Sequence, residues 1–192
     1  MISVFKHFSK PELILSLYQE AWPLAFKTAF QELSSVFVDA NTQIEHIGST
    51  SVLGLSAKPV IDILLGAASL LDIEAKITAL ERQGYQYVPK YETEIPQRRY
   101  FVKAAQTKDS TSPFRLHVHG VVIGSELWHE HLFFRDQLRA NPTLREEYQT
   151  LKLRLANEFA HDKSAYTEAK APFIRKVLAR MPASHPLADR ET

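Results

Sequence analysis

Trp22, Phe26, Phe30, Leu33 and Phe37 recur three or four residues apart around Pro23, a spacing that sets them on one face of an amphipathic helix turned toward the core. Residues 43–47 then read as a short strand, and residues 48–56, rich in Gly, Ser and Thr, as a loop. Residues 60–65 form a continuous apolar run interrupted only by Asp62, the pattern of a central strand covered on both faces. Ser69 is placed to cap a helix with the stripe Leu70, Ile73, Ile77 and Leu80, and Gly84 to end it.

Three strand-like pieces follow, at residues 85–88, 99–104 and 114–123, with a polar hairpin loop expected over residues 106–113. Ser125 caps a helix through Leu127, His131, Phe134 and Leu138. Asn141-Pro142 opens another, with Leu144, Tyr148, Leu151, Leu155 and Phe159 in register. A last helix is expected within residues 164–180, with Pro172 marking a fresh start or a kink. The elements read as strands and helices together, ending in a helical C-terminal portion.

A chain of 192 residues that is 45% apolar can bury one real core and is short for two domains. One domain over residues 1–181 is expected, with residues 182–192 as a flexible tail. Charge changes the picture little: 23 Lys and Arg against 22 Asp and Glu leave +1, so no global field argues for nucleic acid or an anionic membrane, and any phosphate site must be local. The absence of cysteine excludes disulfides, thiolate metal sites and cysteine nucleophiles. Residues 1–8 lack the apolar core of an export signal, and no apolar run reaches membrane-spanning length, so the expected location is the cytoplasm. The sequence leaves the oligomeric state open.

Candidate chemistry concentrates between Glu45 and Leu65. A strand running into Gly48-Ser49-Thr50 lets a backbone turn approach a phosphate closely, with N–H groups and hydroxyls as donors. The same residue types serve any tight turn, so the tripeptide alone is a weak signal. Asp62 sharpens it, because a carboxylate within an apolar strand is costly to bury unless it is paired, hydrogen-bonded or bound to a cation. An ion pair with Lys58 or an arginine is the structural explanation; a metal or phosphate site is the functional one.

His46-Ile47-Gly48-Ser49-Thr50-Ser51-Val52, Gly54-Leu55, Ala57-Lys58-Pro59 and Ile61-Asp62-Ile63 together resemble the motif of the GrpB family. Leu116-His117-Val118, the segment from His131 to Asp136, Leu138-Arg139, Pro142, Leu151-Lys152, Tyr166 and Lys170 are similar to that family's second half, although Leu53 stands where a proline is usual. The resemblance implies an α+β fold with the core of the nucleotidyltransferase superfamily, a mixed β-sheet flanked by helices with a helical C-terminal portion, in which a Gly-Ser turn precedes a strand carrying two metal-binding carboxylates one residue apart. Here Asp62 holds the first position and Leu64 the second, and leucine cannot ligate a metal.

A substitute for the missing acid is suggested by Arg115-Leu116-His117-Val118-His119, where alternation sets His117 and His119 on one strand face. With Asp62 they would make a two-histidine, one-carboxylate set suited to zinc, manganese or iron, so the expected cofactor is a divalent metal, Mg2+ or Mn2+ by the resemblance, with Zn2+ possible at the imidazoles; a solvated strand face is the plain alternative. Ser49 and Asp62 are thus the candidate catalytic residues, and Gly48, Ser49, Thr50, Lys58 and Arg99 the candidate ligand-binding ones. Asp62, His117 and His119 are the candidate metal ligands. Arg98 and Arg115 are further basic residues expected near the cleft, while Arg135, Arg139, Lys152, Tyr166 and Lys170 either line one wall of it or form helix surface. Three functions remain open: metal-dependent transfer with a nucleoside triphosphate or related phosphoester, a non-catalytic nucleotide- or phosphate-binding module, and a His/Asp metal-dependent hydrolase.

Overall fold

The structure, a computed structural model, describes residues 13–38, 41–105 and 112–182. The expectations for residues 1–8, for most of the 106–113 loop and for the tail beyond Pro182 fall outside them. Helix α1 (Ala21–Val36) leads into β1 (Gln43–Ile47), a single 3-10 turn (Ser49–Ser51) and β2 (Val60–Ala67). Two short helices, α2 (Leu70–Glu74) and α3 (Ile77–Arg82), precede β3 (Gln86–Tyr87), β4 (Arg99–Lys103) and β5 (Arg115–Val122). The C-terminal portion is helical: α4 (Glu126–Ala140), α5 (Pro142–Glu158), α6 (Lys163–Ala169) and α7 (Ala171–Leu178). This is a mixed α+β fold, as the family resemblance implies.

The five strands lie in the order β1-β2-β5-β4-β3. β2 and β5 pair in parallel, with Asp62 opposite His117 and Leu64 opposite His119; the other pairings are antiparallel. Side chains alternate across each strand, so this register gives the two sheet faces different characters. One face presents Ile61, Ile63, Leu65, Phe101, Leu116 and Val118, which join Trp22, Ala29 and Leu33 of α1, Ile73 of α2 and Leu80 of α3 in the main core. The other face is apolar where Ile47, Leu64 and Val121 meet Trp128 of α4, and polar at the start of β2 and β5, where Asp62 and His117 stand.

Local chemistry explains most element boundaries. Ser69, Ser125, Asn141 and Asp162 each accept a backbone N–H of the following helix. Pro142 and Pro172 sit in the first turns of α5 and α7, where a missing N–H costs no helical bond. Two helix expectations are corrected. The stripe of α1 that is buried is Trp22, Ala25, Ala29 and Leu33, so its centre is shifted by small residues and Phe30 is left 41% exposed at its margin. The helix expected from Leu70 to Leu80 breaks into α2 and α3 around Ala75 and Lys76.

The helical portion is fastened to the sheet through the loop that follows β1. Val52 and Leu55 are buried among Leu138, Leu144, Tyr148 and Val177. Gln149 of α5 holds Ser56 twice: its carbonyl accepts the Ser56 N–H at 2.9 Å, and its amide donates to Ser56 Oγ at 2.6 Å. Arg135 of α4 donates to Glu45 at 2.6 Å and to the His46 carbonyl at 3.2 Å. Trp128 is the largest side chain between α4 and the sheet. Trp128→Ala is expected to cost about 3–5 kcal/mol, read from the urea unfolding midpoint, because it empties the space over Leu64 and Val121.

Candidate functional site

Gly48 turns the chain out of β1 with φ 69° and ψ −174°, a conformation that favours glycine. A methyl group there would also stand 2.5 Å from Oδ2 of Asp62, so the turn can lie against the carboxylate only because the side chain is absent. The turn, the start of β2 and β5, and the inner sides of α5 and α6 enclose a cleft of about 400 Å3 lined by Ser49, Thr50, Lys58, Asp62, Tyr91, Tyr100, His117, Lys152, Tyr166 and Lys170 among others. A larger groove, about 590 Å3, runs along α5 past Phe173, but its charged residues, Glu146, Glu147 and Arg154, are helix-surface groups. Convergent polar chemistry distinguishes the smaller cleft.

The parallel register brings Asp62, His117 and His119 together. Oδ1 of Asp62 lies 3.4 Å from Nδ1 of His117 and 3.7 Å from Nε2 of His119. Burial works to raise the Asp62 pKa, but hydrogen bonds and charge from the two histidines overcome it and hold the carboxyl below the usual range, so Asp62 is ionised at neutral pH. His119 is biased to the neutral form, chiefly by burial, against the pull of Asp62, and its Nδ1 is buried without a hydrogen-bond partner. Leu64, where a second acid would stand, is fully buried with Ile47, Val121 and Trp128. The side chains therefore do not fit a paired-carboxylate metal centre, and among the described residues no three His, Asp or Glu groups are set at ligand spacing.

Three lysines from three parts of the chain meet in this cleft. Lys152 of α5 is almost completely buried; its Nζ donates to Ser49 Oγ at 3.2 Å and to the Ser56 carbonyl. Lys58, before β2, and Lys170, after α6, both lie over the ring of Tyr166, at 5.3 Å and 4.5 Å from its centroid. Among the described residues no carboxylate forms a salt bridge with any of the three. Burial pushes Lys152 down to about 7, helped by repulsion from Lys170. Lys170 is pushed down to about 8 by burial and then by Lys58, with Asp62 opposing. Lys58 is lowered too, mainly by burial.

Of the residues singled out in the sequence, Gly48, Ser49, Lys58, Asp62 and His117 stand at the cleft, with His119 behind His117 against Tyr100. Thr50 lines it, but its hydroxyl is committed: it donates to the Val60 carbonyl at 3.1 Å and bonds Nε2 of His46 at 3.1 Å, so its side chain braces the turn rather than reaching a ligand. Arg99 is not brought to the cleft. One residue from Tyr100 on β4, it faces the other side of the sheet, where Glu74 and Glu92 hold it at 2.6 Å and 3.5 Å. Arg98 lies over Tyr100, and Arg115 is exposed. Arg135 and Arg139 serve the scaffold, the latter through the Ser51 carbonyl.

Lys152, Tyr166 and Lys170, which the sequence allows either to line one wall of the cleft or to form helix surface, line it. Lys152 continues the spacing of Leu144, Tyr148 and Leu155, so the buried stripe of α5 contains an ammonium. Tyr91 and Tyr100 carry no comparable signal: Tyr100 meets His117 only through the β4–β5 pairing, and Tyr91 lines the cleft packed against Tyr100.

A model of the GrpB family, described as GrpB protein, matches residues 12–180. The chain belongs to the GrpB family. It is 34% identical to the glutamate-rich protein GrpB of Alkalihalophilus pseudofirmus over 90% of this chain and 98% of the relative. It is also 34% identical to the UPF0157 protein YqkA of Bacillus subtilis, covering 91% of this chain but 49% of that protein. Among solved structures, the conserved protein GrpB from Enterococcus faecalis is similar with a TM-score of 0.71 and 33% identity, covering 85% of this chain and 94% of that one. The mixed sheet with its helical C-terminal portion is thus the fold of this family. Among the described residues of this GrpB-family chain, no helix is long and apolar enough to cross a membrane.

His46 makes the site's support sensitive to acid. It is buried, stacked on Phe26 at 4.7 Å, and burial followed by the charge of Arg139 pushes its pKa down to about 4 from 6.5. The unfolded chain therefore binds the extra proton first as pH falls, and stability should drop between pH 6.5 and 4 by on the order of 3 kcal/mol from this residue. His131, also lowered to about 4 chiefly by burial, titrates in the same window. Urea unfolding across that window should show the fall, and His46→Gln should flatten it to the share left by His131 and His119.

Proposed function

We propose that this protein is a nucleotidyltransferase-like binder of a nucleotide or related phosphoester, with the phosphate group held between the Gly48-Ser49 turn and Lys58, Lys152 and Lys170. The observation that carries this reading is the convergence of three lysines without carboxylate partners on a Gly-Ser turn. Phosphate oxygens would supply the charge these ammoniums lack, and Ser49 a hydroxyl donor. Tyr100 and Tyr91 extend the cleft with ring surface that suits an aromatic base. Without a second acid at Leu64, binding is favoured over paired-metal transfer. Titration of the intact protein with ATP, other nucleoside triphosphates and tripolyphosphate tests this directly. Lys152→Met is expected to weaken binding roughly tenfold to a hundredfold, as loss of a charge-assisted hydrogen bond requires. Arg99→Met should leave it unchanged, and no measurable affinity for any of these phosphates would overturn the proposal.

The meeting of His117 and His119 on one oxygen of Asp62 favours a second reading, in which those three residues hold a single zinc or manganese ion for metal-assisted hydrolysis. The three side chains would have to part to admit an ion at about 2.0–2.2 Å from each donor atom. Such a metal would supply Lewis-acid chemistry beside the lysines. Calorimetric titration with zinc and manganese should then show tight binding that is lost in both His117→Ala and His119→Ala. Affinity unchanged in both variants would leave the cluster as an Asp62 anchor alone.

A further inference from the structure

Lys152 is an unusual group to find in a helix core. Only about one hundredth of its surface is exposed, and the two partners of its Nζ, Ser49 Oγ and the Ser56 carbonyl, are neutral. A charged ammonium in that position needs an anion. Around the same cleft stand Lys58 and Tyr166, Lys170 at the end of α6, Tyr148 one turn back on α5, and Asp62 with His117 from the sheet. Lys58 and Lys170 share the ring of Tyr166, which puts them within about 10 Å of each other, inside the screening distance of ordinary salt. Among the described residues Asp62 is the one carboxylate lining the cleft, and it is already engaged by two imidazoles. Three amines thus share one carboxylate that only partly offsets them, and shedding a proton relieves the repulsion.

We propose that the Lys58, Lys152 and Lys170 cradle takes a diphosphate or triphosphate group in preference to a single phosphate, and that its binding draws a proton onto Lys152. The inference rests on the phosphate-binding reading of the cleft and goes beyond it in naming the charge of the ligand and the proton that accompanies it. Three amines spread over α5, the end of α6 and the loop before β2, lining a cleft of about 400 Å3, match an extended polyanion better than one tetrahedral group. The proton balance follows from linkage. An anion stabilises the ammonium form of a neighbouring amine, so an amine that is neutral in the empty cleft binds a proton as the anion arrives. With its pKa near 7, Lys152 is mostly neutral at pH 8 and already protonated by pH 6.

The test is calorimetric titration of the intact protein with inorganic phosphate, pyrophosphate and tripolyphosphate, at pH 8 and pH 6, in two buffers of different ionisation enthalpy. Pyrophosphate and tripolyphosphate are expected to bind at least about tenfold more tightly than inorganic phosphate. The observed heat should differ between the buffers at pH 8 by the uptake of about one proton per ligand, a difference that shrinks at pH 6 once the phosphates' own protonation is subtracted. Lys152→Arg, which stays protonated throughout, should keep binding and lose most of the excess buffer dependence, leaving the share of Lys170. Equal affinity for inorganic phosphate would overturn the preference for a polyphosphate. Buffer-independent heats in the wild-type protein at pH 8 would overturn proton capture while leaving phosphate binding intact. Failure of all three anions to bind would remove the inference together with the reading beneath it.

Discussion

Contact between Gly48 and Asp62 is the constraint around which the cleft is arranged. With a methyl group 2.5 Å from Oδ2, any other residue at position 48 would force the turn away from β2, and a positive φ would resist it as well. Because the turn stays close, Ser49 faces Asp62 across the cleft mouth and the following residues swing out toward the helices, where Val52 and Leu55 are buried. Ser56 is then within reach of Gln149 and Lys152. One glycine therefore links the geometry of the sheet to the position of α5.

The sheet supplies the second part of the arrangement. Parallel pairing of β2 and β5 aligns Asp62 with His117 and leaves His119 one step further along the same face. Two residues beyond Asp62, the face passes beneath Trp128 and becomes apolar, so Leu64 belongs to the core and Asp62 to the cleft. The boundary between core and chemistry on this strand is set by where α4 ends its cover, and it limits the acids on β2 to one. The cationic side of the cleft comes from α5, the end of α6 and the loop before β2, and its lysines share the cavity with Asp62, whose charge favours the ammonium forms of Lys58 and Lys170.

Burial of Lys152 without a counter-charge is costly for the folded chain, and the hydrogen bonds to Ser49 and Ser56 offset only part of it. A strained charge balance of this kind is more readily explained by a ligand than by stability, since an apolar residue in the α5 stripe would pack there without the penalty. The contrast with Lys103 is instructive. That lysine is buried on the opposite sheet side but has Glu32 at 2.8 Å, a closed pair that asks for nothing further.

The sequence by itself determined the order and type of most elements, though not the break between α2 and α3, together with the capping positions Ser69, Ser125 and Asn141 and the strand bearing Asp62, because these rest on local periodicity and on side chains that bond their own neighbours. It also carried the Gly-Ser turn and the shared face of His117 and His119, which alternation fixes within one strand. Tertiary structure decided the rest. Only pairing could set β5 beside β2, and only the sheet's two faces could send Arg99 to Glu74 while turning Tyr100 toward His117. Lys152, Lys170 and Lys58 are separated along the chain by many residues, and their meeting depends on α5 and α6 folding back over the loop after β1. A lysine reads the same in sequence whether it is solvated or buried, and its environment, which sets both its charge and its use, exists only once distant segments pack.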